Sequence, residues 1–306
     1  MTLLTRDWQI PYMQARHLFL LHIWRLDLAI QPSITAIPRE PGCTADGAGD
    51  CAVQLVLMIE KDLILEVKRV IQQAETGGVR LRVLGGLAVY LYSPSADTHP
   101  ALKRSYADMD LVGLGRQGRQ ISDLLVGLGY ESNKRFNALH GETRLIFYDT
   151  ENNRQVDIFL DHFQMCHTLD LRQRLLDGYL SLPLADLLIT KLQIRELNAK
   201  DLQDTLVLLL DHEPGTGECL EWIDLSYLGR LVRNDWGLFT TLSDNLERAR
   251  QAAPEYLSTA EAALVQGRID KILGEMQAVP KSVRWKMRAR IGRRMEWYEL
   301  PEEVNW

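Results

Sequence analysis

The chain has 306 residues, 46% of them hydrophobic and 25% charged, which fits a folded globular protein with room for two domains. Its 41 acidic and 35 basic residues leave a net charge of −6, which excludes a protein that coats nucleic acid over its whole surface and confines such contact to a local patch. Cys43, Cys51, Cys166 and Cys219 form no CxxC pair, so neither a disulfide framework nor a zinc spacing is present and a reducing cytoplasm is implied; the apolar run Leu18–Trp24 is too short to span a bilayer and lacks a signal-peptide layout.

Residues 1–54 pair a patch of large apolar side chains with aperiodic turn chemistry, and read as an irregular or disordered leader. Translation starting at or near Met58 would account for it. The first amphipathic helix is expected from about Leu55, with Met58, Ile59, Leu63, Val67, Val70, Ile71 and Ala74 at three-and-four spacing, and it stops at Gly77-Gly78. A strand at Leu81–Leu84 leads through Gly85-Gly86 into a helix over Leu87–Tyr92, then a loop holding Pro94, Asp97 and Pro100. A strand at Asp108–Val112, a helix near Arg119–Leu128, and strands at Thr143–Tyr148 and Gln155–Leu160 around a turn at 150–153 complete an α+β domain with a mixed sheet over 55–165. From 166 to 306 a helical domain is expected: Pro183–Glu196, Lys200–Asp211, Leu225–Ala249 with breaks, Pro254–Gln277 and Lys281–Trp297.

Chemistry concentrates in the first domain. Residues two apart on a strand share a face, so Asp108 and Asp110 present two carboxylates together, and Asp157 on a later strand offers a third. Converging carboxylates repel unless a cation sits between them, and Mg²⁺ takes a few carboxylates together with substrate phosphates. Gly85 and Gly86, between a strand and a helix start, would expose backbone N–H groups as an anion cradle for a triphosphate.

The order of Gly85-Gly86-Leu-Ala-Val89, Arg104-Ser-Tyr-Ala-Asp108-Met-Asp110, Val156-Asp157-Ile158, Leu187-Leu-Ile-Thr-Lys191 and Lys200-Asp201-Leu-Gln-Asp204 resembles the DNA polymerase β-like nucleotidyltransferases. It is most similar to their AbiEii-type branch, the toxin-like and uncharacterised members of abortive-infection and toxin–antitoxin systems. The motifs span about residues 58–212, and Leu87 stands where the turn often carries a serine. The resemblance implies a polymerase β-like catalytic domain followed by a helical one. It implies an ATP- or other NTP-binding transferase with Asp108, Asp110 and Asp157 as catalytic ligands of Mg²⁺, two ions in number. Gly85, Gly86, Leu87, Arg104, Lys191, Asp201 and Asp204 would stand around the nucleotide, and a cognate antitoxin would be one partner.

Other features compete for attention. Gly113-Leu-Gly115-Arg-Gln-Gly118 matches a dinucleotide fingerprint, but the chain after the following helix reads Tyr130-Glu-Ser-Asn-Lys-Arg135, where a buried apolar strand is required. His162, Cys166 and His167 read as packing and hydrogen bonding in a connecting stretch. Lys281–Arg294 holds seven basic residues in fourteen and no acid, so the remainder of the chain sums to −13. Its Arg284, Arg288, Arg290, Arg293 and Arg294 form a basic helix face suited to tRNA or another RNA, opposite an apolar face of Val283, Met287, Ile291 and Met295. The reading is nucleotidyl transfer from an NTP to an acceptor hydroxyl with release of pyrophosphate. Its rivals are transfer to a small molecule of the aminoglycoside type and a non-catalytic nucleotide-binding partner protein.

Overall fold

The computed structural model describes residues 59–216 and 221–300. The proposed leader, the start at Met58, and Cys43, Cys51 and Cys219 lie outside the described residues.

The first helix, α1 (Leu63–Thr76), begins later than its periodicity suggested, because Asp62 caps it by accepting from the N–H groups of Ile64 and Leu65. It buries Val67, Val70, Ile71 and Ala74, together with Glu66, whose charge is met by Arg69 and the hydroxyl of Tyr130. Strand β1 (Leu81–Val83) runs into α2 (Gly85–Tyr92), a helix that includes both glycines. The expected Pro94 loop holds a single helical turn, α3 (Ser95–Thr98), before β2 (Met109–Gly113). Helix α4 (Gly118–Gly127) follows, then two short elements that periodicity did not suggest, β3 (Glu131–Ser132) and α5 (Lys134–His140), the latter capped by Asn133. Strands β4 (Arg144–Asp149) and β5 (Arg154–Leu160) form the expected antiparallel hairpin.

These strands make one mixed sheet in the order β1-β2-β5-β4-β3, in which β2 and β5 are parallel and every other pair is antiparallel. Register places Asp110 beside Asp157, and Leu111 beside Ile158. Alternation then sends Leu111, Val156, Ile158, Leu145 and Phe147 into the core, and turns Asp110, Asp157, Phe159 and Arg144 to the opposite face.

The stretch joining sheet to helices is a two-stranded ribbon, β6 (His162–Gln164) and β7 (Thr168–Asp170). Helix α6 (Leu184–Leu192) ends where Asn245 donates to the carbonyls of Leu192 and Ile194, at 2.7 and 2.6 Å. Helix α7 (Ala199–Asp211) and a two-stranded pair, β8 (Pro214–Gly215) with β9 (Ile223–Asp224), precede the long helices. The break expected within 225–249 falls at Asn234–Asp235, separating α8 (Leu225–Asn234) from α9 (Trp236–Tyr256), with Asp235 capping the second. Pro254 was expected to open the next helix and instead lies in the last turn of α9. The carbonyl of Arg250, which proline leaves without its helical donor, accepts from the Gln266 side chain at 3.1 Å. Helix α10 (Thr259–Ala278) opens instead at a Ser258–Glu261 capping box, and α11 (Val283–Ile291) closes the described chain with a 3₁₀ turn at Gly292–Arg294.

Helix α2 packs against both α6 and α7, so one hydrophobic cluster runs from Val67 through the sheet to Met276. No helix among the described residues is long and apolar enough to cross a membrane.

Candidate active site

A cavity of about 130 Å³ opens between the sheet and α6. Asp110 and Asp157 line it from neighbouring parallel strands, Gly85 from the start of α2, and Lys191 and Asp201 from the helical side. Phe159, Phe163, Met165 and Ile194 form an apolar wall.

Gly85 adopts φ +69°, and a Cβ there would fall 2.3 Å from Oδ2 of Asp110, so glycine is needed both for the turn and for the close approach of the carboxylate. A Cβ on Gly86 would meet the Arg104 guanidinium at 2.1 Å. The two glycines therefore make room for protein side chains, with the first N–H groups of α2 given no side-chain cap. Leu87 is 2% exposed and belongs to the core, so its side chain does not replace a serine hydroxyl at the cleft.

The Asp110 carboxylate forms no hydrogen bond or ion pair with a described residue, although its backbone carbonyl accepts from the N–H of Leu84 at 3.0 Å. Burial, then the neighbouring charge of Asp157 and the smaller one of Asp108, push its carboxyl up to about 7. Asp108 stands exposed just ahead of β2. Asp157 is in a different state: Arg144 grips both of its oxygens, Nε donating to Oδ1 at 2.7 Å and Nη2 to Oδ2. Arg144 lies 4.9 Å from the Phe159 ring centre and 6.0 Å from that of Phe136.

On the helical side, Lys191 Nζ sits 2.8 Å from Asp201 and 3.0 Å from Asp204. Burial pulls its ammonium down, but Asp204 and Asp201 more than offset this and keep it charged. Arg104 holds Asp204 through two hydrogen bonds of 2.9 and 2.6 Å and lies 4.0 Å from the ring centre of Tyr106, whose hydroxyl burial pushes up to about 12. Asn198 fixes Asp201 in turn. Thus Lys191, Asp201, Asp204 and Arg104, read from widely separated motifs, form one hydrogen-bonded network.

Arg284, Arg288, Arg290, Arg293 and Arg294 line none of the cavity; they lie on and just after α11, which packs on α8 and α9. Arg288 is spent on the carbonyls of Gly292, Met295 and Glu296, and Arg293 on Asp244. The apolar face is exposed, with Val283 at 72%, Met287 at 56% and Ile291 at 41%, because Trp285, Arg288 and Ala289 take the inward side.

The glycines of the dinucleotide-like run are consumed internally. Gly113 is pressed against Ile121, and the Gly115 N–H donates to Asp161 at 2.9 Å, so a carboxylate of the chain already holds the amide that a phosphate would need. Cys166 is buried and accepts from the N–H of Arg195, while His167 bonds to Thr241. Sequence reasoning passed over Arg144 and the apolar wall. Only the place of Arg144 at the start of an expected strand hinted that it could face Asp157.

No family model matches the sequence, and no curated protein matches it. A solved structure from H. pylori, described as that of a "putative nucleotidyltransferase", aligns with 71% of this chain and 98% of its own at 11% identity and a TM-score of 0.34, a likeness too loose to bear on function.

Proposed function

We propose that the chain is a Mg²⁺-dependent nucleotidyltransferase of the polymerase β-like kind. It would take a nucleoside triphosphate, join the nucleoside monophosphate to an acceptor hydroxyl and release pyrophosphate. The observation that carries this is the pairing of Asp110 with Asp157 across parallel strands, above Gly85 and facing Lys191. A half-buried carboxyl with no direct side-chain partner among the described residues, next to two further carboxylates, is an environment suited to a cation.

Among the described residues no three of His, Cys, Asp and Glu stand close enough to hold a metal by themselves. Mg²⁺ does not require that, since it is commonly held by one or two carboxylates plus phosphate oxygens. Asp108 and Asp110 fit this demand, and a cation bound there would supply charge to the triphosphate. The chain's own groups do the rest. The uncapped N–H groups opening α2 and the Lys191 ammonium face the triphosphate, while Asp157 orients the acceptor hydroxyl. The hydroxyl oxygen then bonds to the α-phosphorus, the bond to the bridging oxygen breaks, and pyrophosphate leaves as the hydroxyl proton passes to the carboxylate side of the cleft.

A small acceptor is the second reading, favoured by the apolar wall and by the internal use of Arg288 and Arg293. Transfer of α-labelled ATP, CTP, GTP or UTP with Mg²⁺, offered total RNA and small hydroxyl compounds, distinguishes the acceptors. The expected result is a labelled product that falls at least 100-fold on Asp110→Asn, in line with loss of a charge that stabilises the transition state. Label that persists undiminished in that variant would refute the reading.

A further inference from the structure

Asp110, Asp157, Asp201, Arg144 and Lys191 line the cleft, with Asp204 and Arg104 bonded behind them and Asp108 exposed beside them, five carboxylates and three basic side chains in all. Asp201 and Asp204 share Lys191 and Arg104, and Asp157 is held at both oxygens by Arg144. Asp108 and Asp110 are left over: Lys191 and Arg144 lie near enough to act on the Asp110 carboxyl, but both are bonded to other carboxylates and neither bonds to it. Two uncompensated negative charges equal one divalent cation.

Arg144 is not a loose counter-ion. It stands on β4 diagonally across the antiparallel register from Asp157, close to the rings of Phe159 and Phe136. A planar guanidinium gripping a carboxylate bidentately beside aromatic rings is pre-organised and stays charged at any physiological pH. An ion arriving at Asp157 would have to share the carboxylate with that guanidinium or displace it.

We infer that Arg144 is the resident cation of the third carboxylate, so that Asp157 is served by a guanidinium and the cleft takes up one divalent ion, at Asp108 and Asp110, where two would otherwise sit. The inference rests on the nucleotidyltransferase reading for the presence of a metal at all. Arg144 is then a positioning residue, holding Asp157 toward the acceptor while its charge stands in for that of an ion.

The test counts Mn²⁺ by electron paramagnetic resonance on the full chain, free and with α,β-methylene-ATP. The wild type should bind one ion per protein–nucleotide complex. Arg144→Met, similar in length but uncharged, should bind two, whereas Arg144→Lys should return the count to one. A merely structural role for Arg144 would not move this number. A wild-type count other than one, or an Arg144→Met count that stays at one, overturns the inference, and the wild-type count decides even if the Met variant does not fold. If the analogue fails to bind while the free chain holds one ion and free Arg144→Met holds two, the nucleotide reading falls and the assignment of Arg144 stands; a free Arg144→Met count of one overturns it.

Discussion

Asp110 and Asp157 are the same residue type, register partners on paired strands, and their environments divide them. Asp157 has a guanidinium on both oxygens, whereas Asp110 bonds to no cation, and its burial and the charge of Asp157 outweigh the attraction of Lys191 and Arg144. A carboxyl that ionises near pH 7 in the fold and near 3.8 in the unfolded chain binds its proton more tightly when folded. Its contribution to stability is therefore complete below about pH 4 and is lost as the pH rises toward 7, by about 4 kcal/mol at the limit of a three-unit shift. Asp110→Asn removes the ionising group. Calorimetry at pH 5 and pH 8 should show the variant gaining on the wild type at the higher pH. An equal difference at both pH values would show that Asp110 is not strained by its charge.

At the scale of elements, the site depends on how α6 ends. Lys191 sits one residue before the end of that helix, whose last carbonyl, on Leu192, and the following one of Ile194 are held by the side-chain amide of Asn245 of α9. Asn245→Ala should cost about 2–3 kcal/mol, the penalty for leaving such groups unpaired. It should also raise the KM for nucleotide through displacement of Lys191. Urea denaturation checks the first effect and steady-state kinetics the second. Such couplings also mark the limit of what could be read in advance. The two aspartates and Lys191 were legible because strand and helix periods fix their faces. Arg144 was not, because its partner depends on a hairpin register that no local pattern states. The two-residue strand β3 exists only through its pairing with Tyr148 and Phe147. The periodicity of Val283, Met287 and Ile291 marked an apolar face on α11 but not which way it turns, and Trp285 and Ala289 take the inward side instead.

For the whole molecule, the shared cluster from Val67 to Met276 makes the sheet and the helical half one cooperative body. Among the described residues every tryptophan lies in the helical half, at positions 222, 236, 285 and 297, so intrinsic fluorescence largely reports that half, while amide exchange on β5 reports the sheet. Both signals should be lost at one denaturant midpoint. Two separated midpoints would show that the halves unfold independently and that the cleft between them closes only as they dock.

The parallel pairing of β2 with β5 also sets an order of events. Asp110 and Asp157 are neighbours in space, yet the chain between them must first build α4, β3, α5 and β4 and return. The β4–β5 hairpin and the helices are closed locally and form quickly, whereas this one junction waits for the whole excursion. The two carboxylates are then expected to meet last, so pulsed hydrogen exchange during refolding should protect the helices and the β4–β5 hairpin before β2.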